Sequence, residues 1–210
     1  MKLHTTILGI LLSFNAFADG FTPVVTSQDQ PWSLVASFGG GKYQIYSKDN
    51  LSPLARFAVA NEMLLSGDYA LGWELGFQNG NNIHLNIPAE KLTSLGWLPV
   101  NTRLSPMFDL LATAKSDPLA GSLIFAQLKG GIAYRYWQIE QIQMNNLSRV
   151  AGEVQAGFGF PITSLAELNL LYQGVYGSKA TIQYNPIDQT GRVSNIPALH
   201  AIFLGLSVNL

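Results

Sequence analysis

Nine charged residues recur at alternate positions of several segments and are the side chains best placed to do chemistry. Four are basic and five are acidic: Arg56, Glu62, Glu74, Asp109, Lys115, Lys129, Arg135, Glu153 and Glu167. When each segment is treated as a strand, the charge lies on the face opposite an apolar row, because strand side chains alternate between faces. If the strands enclose an interior, all nine charges meet there, where an unpaired charge is costly.

We therefore predict paired charges inside. Lys129 or Arg135 is expected to meet Glu153 across adjacent strands, and Glu74 to find a cation across the interior. The pairs would form either a plug of salt bridges or a small ion path, and the plug is favoured because eight strands leave room for little beyond their own side chains. Removing one partner of a buried pair is expensive, so neutralising Glu153 alone is expected to destabilise the protein strongly.

Composition restricts the class of protein. The chain has 210 residues and a net charge of -1, and only 12% of its residues are charged, against roughly a quarter in average soluble domains. This disfavours both a disordered chain and a conventional cytosolic enzyme. The 12 basic and 13 acidic residues offer no electrostatic footprint for a nucleic acid.

The first eighteen residues are typical of a secretory signal peptide. Lys2 supplies the positive start, residues 7–12 form a short apolar core, and residues 16–18 give a small-x-small cleavage pattern. A membrane anchor would require about 20 apolar residues, and Ser13 and Asn15 interrupt this run. We predict cleavage after residue 18 and one domain over 19–210.

Period-two patterns separated by turn residues predict eight strands. They cover about 32–40, 55–65, 69–78, 105–115, 122–136, 149–160, 166–176 and 199–210. Long connections alternate with short ones, as in outer-membrane barrels, and glycine and alanine dilute the charged face, as a narrow interior demands. The predicted fold is all-β, a closed antiparallel eight-stranded up-and-down transmembrane β-barrel. A soluble exported sandwich is the alternative.

Segments 32–41, 129–135, 154–160 and 168–177 resemble the small eight-stranded outer-membrane barrels of Gram-negative bacteria, namely the OmpA transmembrane domain and the opacity-type surface antigens. In that group the last strand carries a signal for the barrel-assembly machinery. Gly205, Val208 and Leu210 match it. The chain departs from the group at Phe203, where a polar residue is usual, and at Leu210, where Phe is commoner.

This resemblance implies a cell outer-membrane protein, surrounded by outer-membrane lipids and lipopolysaccharide. Its structural or surface-interaction role would be adhesion or host contact through the long loops, where Trp97 is either an adhesive anchor or packed on the rim. The runner-up is a passive channel for small apolar molecules, similar to the OmpW group. Such a channel requires an apolar inner surface near the outer mouth, and the charged interior argues against one.

A lipid-modifying enzyme ranks third. The chain has no Cys, which excludes thiolate nucleophiles and Cys-ligated metals. His4 leaves with the signal and His84 lies in the longest loop. His200 precedes Ala201 and Ile202, so the His-x-Ser motif of barrel deacylases is absent, and we interpret it as an interfacial residue. We assign no catalytic, cofactor or metal residues, although a triad assembled from loops stays open.

Overall fold

A computed structural model describes residues 32–44, 51–66, 68–84, 101–119, 121–139, 144–178, 181–185, 187–188 and 190–210. The predicted signal peptide and Trp97 lie outside these residues. The strands in the described ranges are β1 (Trp32–Tyr43), β2 (Leu51–Ser66), β3 (Tyr69–Gln78), β4 (Asn81–His84), β5 (Asn101–Leu104), β6 (Met107–Ser116), β7 (Phe125–Ile139), β8 (Met144–Asn145), β9 (Leu147–Pro161), β10 (Ala166–Val175), β11 (Thr181–Asn185), β12 (Thr190–Ser194) and β13 (Leu199–Asn209). No helix in these ranges is long and apolar enough to cross a membrane.

Eight of the strands close into an antiparallel barrel, which confirms the predicted fold. They follow one another around the ring in the order β1, β2, β3, β6, β7, β9, β10, β13. Pairing of β1 with β13 closes it, in a register that places Leu34 opposite Val208. The barrel removes every sheet edge among these strands, so their backbone groups are paired within the ring.

The two ends of the barrel differ. β1 begins at Trp32 and β13 ends at Asn209, both at the end of the barrel that has the short connections, including residues 162–165. We call this end the turn side. The opposite end carries the long connections and is called the loop side. With an even strand count, this asymmetry is the one expected of an outer-membrane barrel.

Two predicted loops contain strands that the sequence analysis missed. Within the predicted connection 79–104, β4 and β5 form a hairpin, and β5 extends the barrel wall by pairing with the loop-side end of β7. Within 177–198, β11 and β12 form a second hairpin, and β12 pairs in parallel with the short β8. Local periodicity does not show the pairing of β5 with β7 or of β12 with β8, because these partners are distant in sequence.

The outer surface is apolar over most of its height. Leu168 and Leu204 are 39% and 54% exposed, so neither is enclosed between two sheets as a sandwich would require. Register shifts between Glu62 and Leu64, and this bulge leaves both Met63 and Leu64 on the outside. The bulge keeps the apolar row continuous where strict alternation would have turned one of them inward.

Gly131 marks a point where neighbouring backbones approach closely. A Cβ at this position would lie 2.9 Å from the Cα of Leu111 and closer still to the carbonyl oxygen of Leu110. The adjacent Gly130 has open space, since the nearest atom to its Cβ position is 3.9 Å away. Only Gly131 is therefore required by the packing of β6 against β7.

We predict that Gly131→Val destabilises the barrel by about 1–3 kcal/mol, because the added side chain overpacks the β6–β7 contact. Gly130→Val is the matched control and should change stability by less than about 0.5 kcal/mol. Urea unfolding of each variant, refolded in phospholipid vesicles, measures the difference. Equal midpoints for the two variants would contradict the close approach.

Candidate functional site

The candidate site is the barrel interior, where the structure places all nine predicted charged residues on the inner face. Five are almost completely enclosed near mid-height, and Arg135 is buried nearer the loop side. The three nearest the turn side, Glu62, Lys115 and Glu167, are only partly buried. Strand alternation alone puts these side chains inside, but the register between strands decides which of them meet.

A compact ion cluster occupies the middle of the interior, with Arg56 at its centre. The guanidinium of Arg56, only 2% exposed, donates from Nη1 to Glu74 Oε1 at 2.6 Å. It also donates two hydrogen bonds to Asp109, one of them from Nε to Oδ2 at 3.0 Å. Lys129 Nζ donates to the other oxygen of Glu74 at 2.6 Å. Two cations thus face two carboxylates contributed by four strands, and the cluster is neutral.

A small residue makes room for this cluster. Gly76 lies opposite Asp109 in the β3–β6 register, and a Cβ there would lie 2.6 Å from Cζ of Arg56. The dilution of the charged face by glycine is therefore explained at this position by the volume of the guanidinium. Paired ions and small residues fill the barrel together.

A second ion cluster lies towards the turn side. Lys115 Nζ donates to Glu62 Oε1 at 2.6 Å and to Glu167 Oε2 at 3.0 Å. All three residues line a cavity of about 40 Å³, large enough for water. Lys115 also lies 5.1 Å from the ring centroid of Phe125. The interior at the turn side is thus polar and open to water. It ends at the Glu74–Lys129 pair, which lines the same cavity.

The pairing predicted for Glu153 is wrong. Its Oε1 accepts hydrogen bonds from the amides of Gln155 and Gln173, both at 2.7 Å, instead of meeting a cation. Lys129 is held by Glu74. Arg135 donates to the carbonyl oxygens of Pro197 and Tyr176, each at 2.7 Å. The carbonyls became available because residues 196–198, just before β13, are buried at the loop side beside Tyr176, which strand alternation does not show.

Four buried polar atoms around this level have no hydrogen-bond partner among the described residues: Arg135 Nε, Trp137 Nε1, Glu153 Oε2 and Gln173 Oε1. Two are donors and two are acceptors. Gln173 donates to Glu153, so their two unpartnered acceptors belong to adjoining side chains. The layer around Glu153 is therefore the least satisfied part of the interior.

Above this layer the interior becomes apolar, which the sequence analysis did not predict. We call this cluster the apolar seal. Its members are Tyr43, Leu54, Leu104, Met107, Ala133, Trp137, Ile139, Val175, Val193, Ile196, Leu199, Ala201 and Phe203. Trp137 lies two positions beyond Arg135 on the inner row of β7, so continuing the charged rows towards the loop side would have found it. The argument that a charged interior excludes an apolar inner mouth is therefore wrong.

The remaining predicted residues lie on β13 or directly after it. Phe203 is buried in the seal, and Gly205 also faces the interior. Val208 and Leu210 are exposed on the outer surface. His200 faces outward and hydrogen-bonds Tyr172. In the described part of the chain, no group of three or more His, Cys, Asp and Glu residues could hold a metal ion.

Comparisons with known proteins agree with this geometry. The structure aligns with that of Neisserial surface protein A at a TM-score of 0.53 and 13% identity, over 86% of this chain and 97% of that one. The chain has the fold of a small outer-membrane β-barrel. OprG, an outer-membrane protein of Pseudomonas aeruginosa, aligns at a TM-score of 0.54 and 9% identity, over 86% and 98% of the two chains. Neither protein-family models nor curated protein sequences give a match.

Two carboxylates of this barrel should respond differently to neutralisation. Glu74→Gln leaves Arg56 and Lys129 without their shared partner, and we expect a loss of about 3–5 kcal/mol in the free energy of unfolding. Glu153→Gln keeps the oxygen that accepts from Gln155 and Gln173, and we expect a change within about 1 kcal/mol. Urea unfolding in vesicles measures both. If Glu153→Gln lost as much stability as Glu74→Gln, the result would support the direct ion pair predicted from the sequence.

Proposed function

We propose that the chain is an integral outer-membrane protein with a closed interior, acting as a structural or surface-interaction protein through its loop side. One observation carries the proposal: the interior is filled by ion pairs and the apolar seal, while the outer surface is an apolar belt. A barrel with a filled interior and an apolar outer surface is stable in a bilayer. A filled interior leaves the loop side as the part of the barrel that can meet other molecules.

The surroundings of such a barrel follow from its surface. Outer-membrane lipids and lipopolysaccharide would contact the apolar belt, with aromatic residues such as Tyr69 and Phe160 near its boundaries. The predicted signal peptide over 1–18 would direct export. The barrel-assembly machinery would recognise the last strand through Gly205, Val208 and Leu210.

The loop side is supported as a contact surface by its attachment to the seal. Val193 of β12 and Ile196 are both members of the seal, so the β11–β12 hairpin is anchored to the barrel rim. Residues of β11, such as Thr181 and Gln183, are exposed. An anchored hairpin with exposed polar side chains can meet a partner with little loss of conformational entropy. Its partner would be an extracellular ligand or host surface.

A second candidate function is passive passage of small apolar molecules. The apolar seal favours it, since it supplies the apolar inner surface near the outer mouth that such a channel requires. The buried ion cluster beneath the seal opposes it, because an apolar solute would have to cross a layer of charges. The solute could then leave only sideways, through the barrel wall.

We predict that the reconstituted protein passes neither ions nor apolar solutes, because the mid-height ion cluster and the apolar seal fill the interior beyond the turn-side cavity. In a planar bilayer the protein should show no steady conductance steps, with a large open porin as the positive control. Vesicles containing it should take up an apolar dye no faster than protein-free vesicles. Steady steps would establish an ion path, and faster dye uptake would establish the second candidate function.

A further prediction concerns the β11–β12 hairpin. Replacing residues 181–192 by a Gly/Ser linker keeps Val193 and Ile196 in the seal, and we expect adherence of displaying cells to an epithelial monolayer to fall to the level of cells without the protein. Replacement of the turn-side connection 162–165 is the matched control and should leave adherence unchanged. Gel mobility with and without heating verifies that both variants fold. Undiminished adherence of the hairpin variant would refute the proposed contact surface.

A further inference from the structure

Three polar side chains lie on adjacent strands of the outer surface of the barrel, near its loop side. Lys42 of β1 and His200 of β13 are opposite each other in the β1–β13 register, and both are exposed. The hydroxyl of Tyr172 lies 2.6 Å from Nδ1 of His200, and the two rings stack with centroids 6.1 Å apart. The imidazole is therefore held in place by one nitrogen, and Nε2 is the atom left to bond a further group.

This polar group lies where the apolar belt ends. The outward row of β13 is apolar from Ile202 to Leu210, and His200 is the next outward residue towards the loop side. At about 3.3 Å per residue and a tilt near 45°, that row spans roughly 20 Å of the bilayer. The apolar band of such barrels is about 25 Å tall, so Lys42 and His200, two residues beyond that row, lie at the edge of the band, next to the lipid headgroups.

Two glycines lie beside these residues on the outer surface. Gly174 is the register partner of His200 on β10, and the nearest atoms to a Cβ there belong to the ring of Tyr172, at 3.6 Å. A Cβ at Gly40 would meet nothing closer than 3.7 Å. The Tyr172 ring thus lies against Gly174, and neither glycine carries a side chain that would cover Lys42 or His200.

The charges around Lys42 and His200 favour an anion. Lys42 contributes a full positive charge, and its opposite neighbour on β2 is the apolar Leu51. On β9, the residue opposite Gly174 is the apolar Val154. No acidic side chain among these register neighbours competes for the ammonium group.

We propose that Lys42, His200 and Tyr172 form a binding site for the phosphate of an outer-leaflet lipid headgroup. The ammonium group of Lys42 makes a charge-assisted hydrogen bond to a phosphate oxygen, Nε2 of His200 donates a second bond, and Tyr172 holds the imidazole in position. The acyl chains of the lipid lie along the apolar belt below. This site rests on the proposed function, because it requires the loop side to face the outer leaflet.

The test uses full-length mature protein refolded in detergent micelles and measures lipid binding by native mass spectrometry. The probes are phosphorylated lipid A, chemically dephosphorylated lipid A, and inorganic phosphate. We expect phosphorylated lipid A to bind, and Lys42→Ala to weaken its binding about tenfold. Tyr172→Phe should weaken it less, since that change frees the imidazole without removing a charge. Arg149→Gln, which removes another exposed positive charge, is the matched control and should bind as the wild type does.

Each outcome decides the site. Unchanged binding by Lys42→Ala, an equal loss for Arg149→Gln, or equal binding of dephosphorylated lipid A would overturn it. Displacement of the lipid by millimolar inorganic phosphate would assign the site to a free anion and reject the lipid. Insertion into lipid vesicles is measured separately. A chain that inserts and folds but does not bind lipid A refutes this site alone, whereas a chain that fails to insert refutes the proposed function.

Discussion

The structure depends on one constraint: within a bilayer, every backbone amide and carbonyl group must find its partner inside the protein. The pairing of β1 with β13 meets this constraint by closing the sheet. Closure with eight strands also fixes the width of the interior. It is wide enough for side chains and too narrow for a water-filled pore of useful size, so what lies inside must pack and pair.

The interior meets this requirement in two chemically different ways. Around mid-height, Arg56 and Lys129 join Glu74 and Asp109 in a neutral cluster that is almost fully buried. Towards the loop side, the same inner rows carry apolar side chains that pack around Trp137. Buried ion pairs contribute little net stability because desolvation opposes their attraction, whereas apolar burial is directly favourable. The seal is thus the better source of stability, and the ion cluster more strongly specifies which strands stand opposite each other.

The layer between these two regions has a distinct character. Glu153 is 1% exposed and is held by amides alone, and one of its oxygens has no partner among the described residues. Buried polar groups are normally satisfied, and exceptions merit an explanation. Here the explanation is geometric. Of the two candidate cations on β7, Lys129 is paired with Glu74, and Arg135 donates its hydrogen bonds to the backbone carbonyl groups of Pro197 and Tyr176. The guanidinium that could have paired with Glu153 is therefore used to satisfy backbone carbonyl groups.

The sequence by itself determined the barrel, its eight long strands and the inward placement of the nine charges, because alternation is a local property with a period of two residues. It did not determine that Lys129 would meet Glu74 instead of Glu153, since pairing depends on register and on contacts across the barrel. It also missed the β4–β5 and β11–β12 hairpins and the apolar seal. Trp137 continues the inner row of Arg135, but it lies just beyond the strand predicted over 122–136. Only the closed tertiary structure, which brings the loop-side ends of the strands and their covering segments together, decided where the interior changes from charged to apolar.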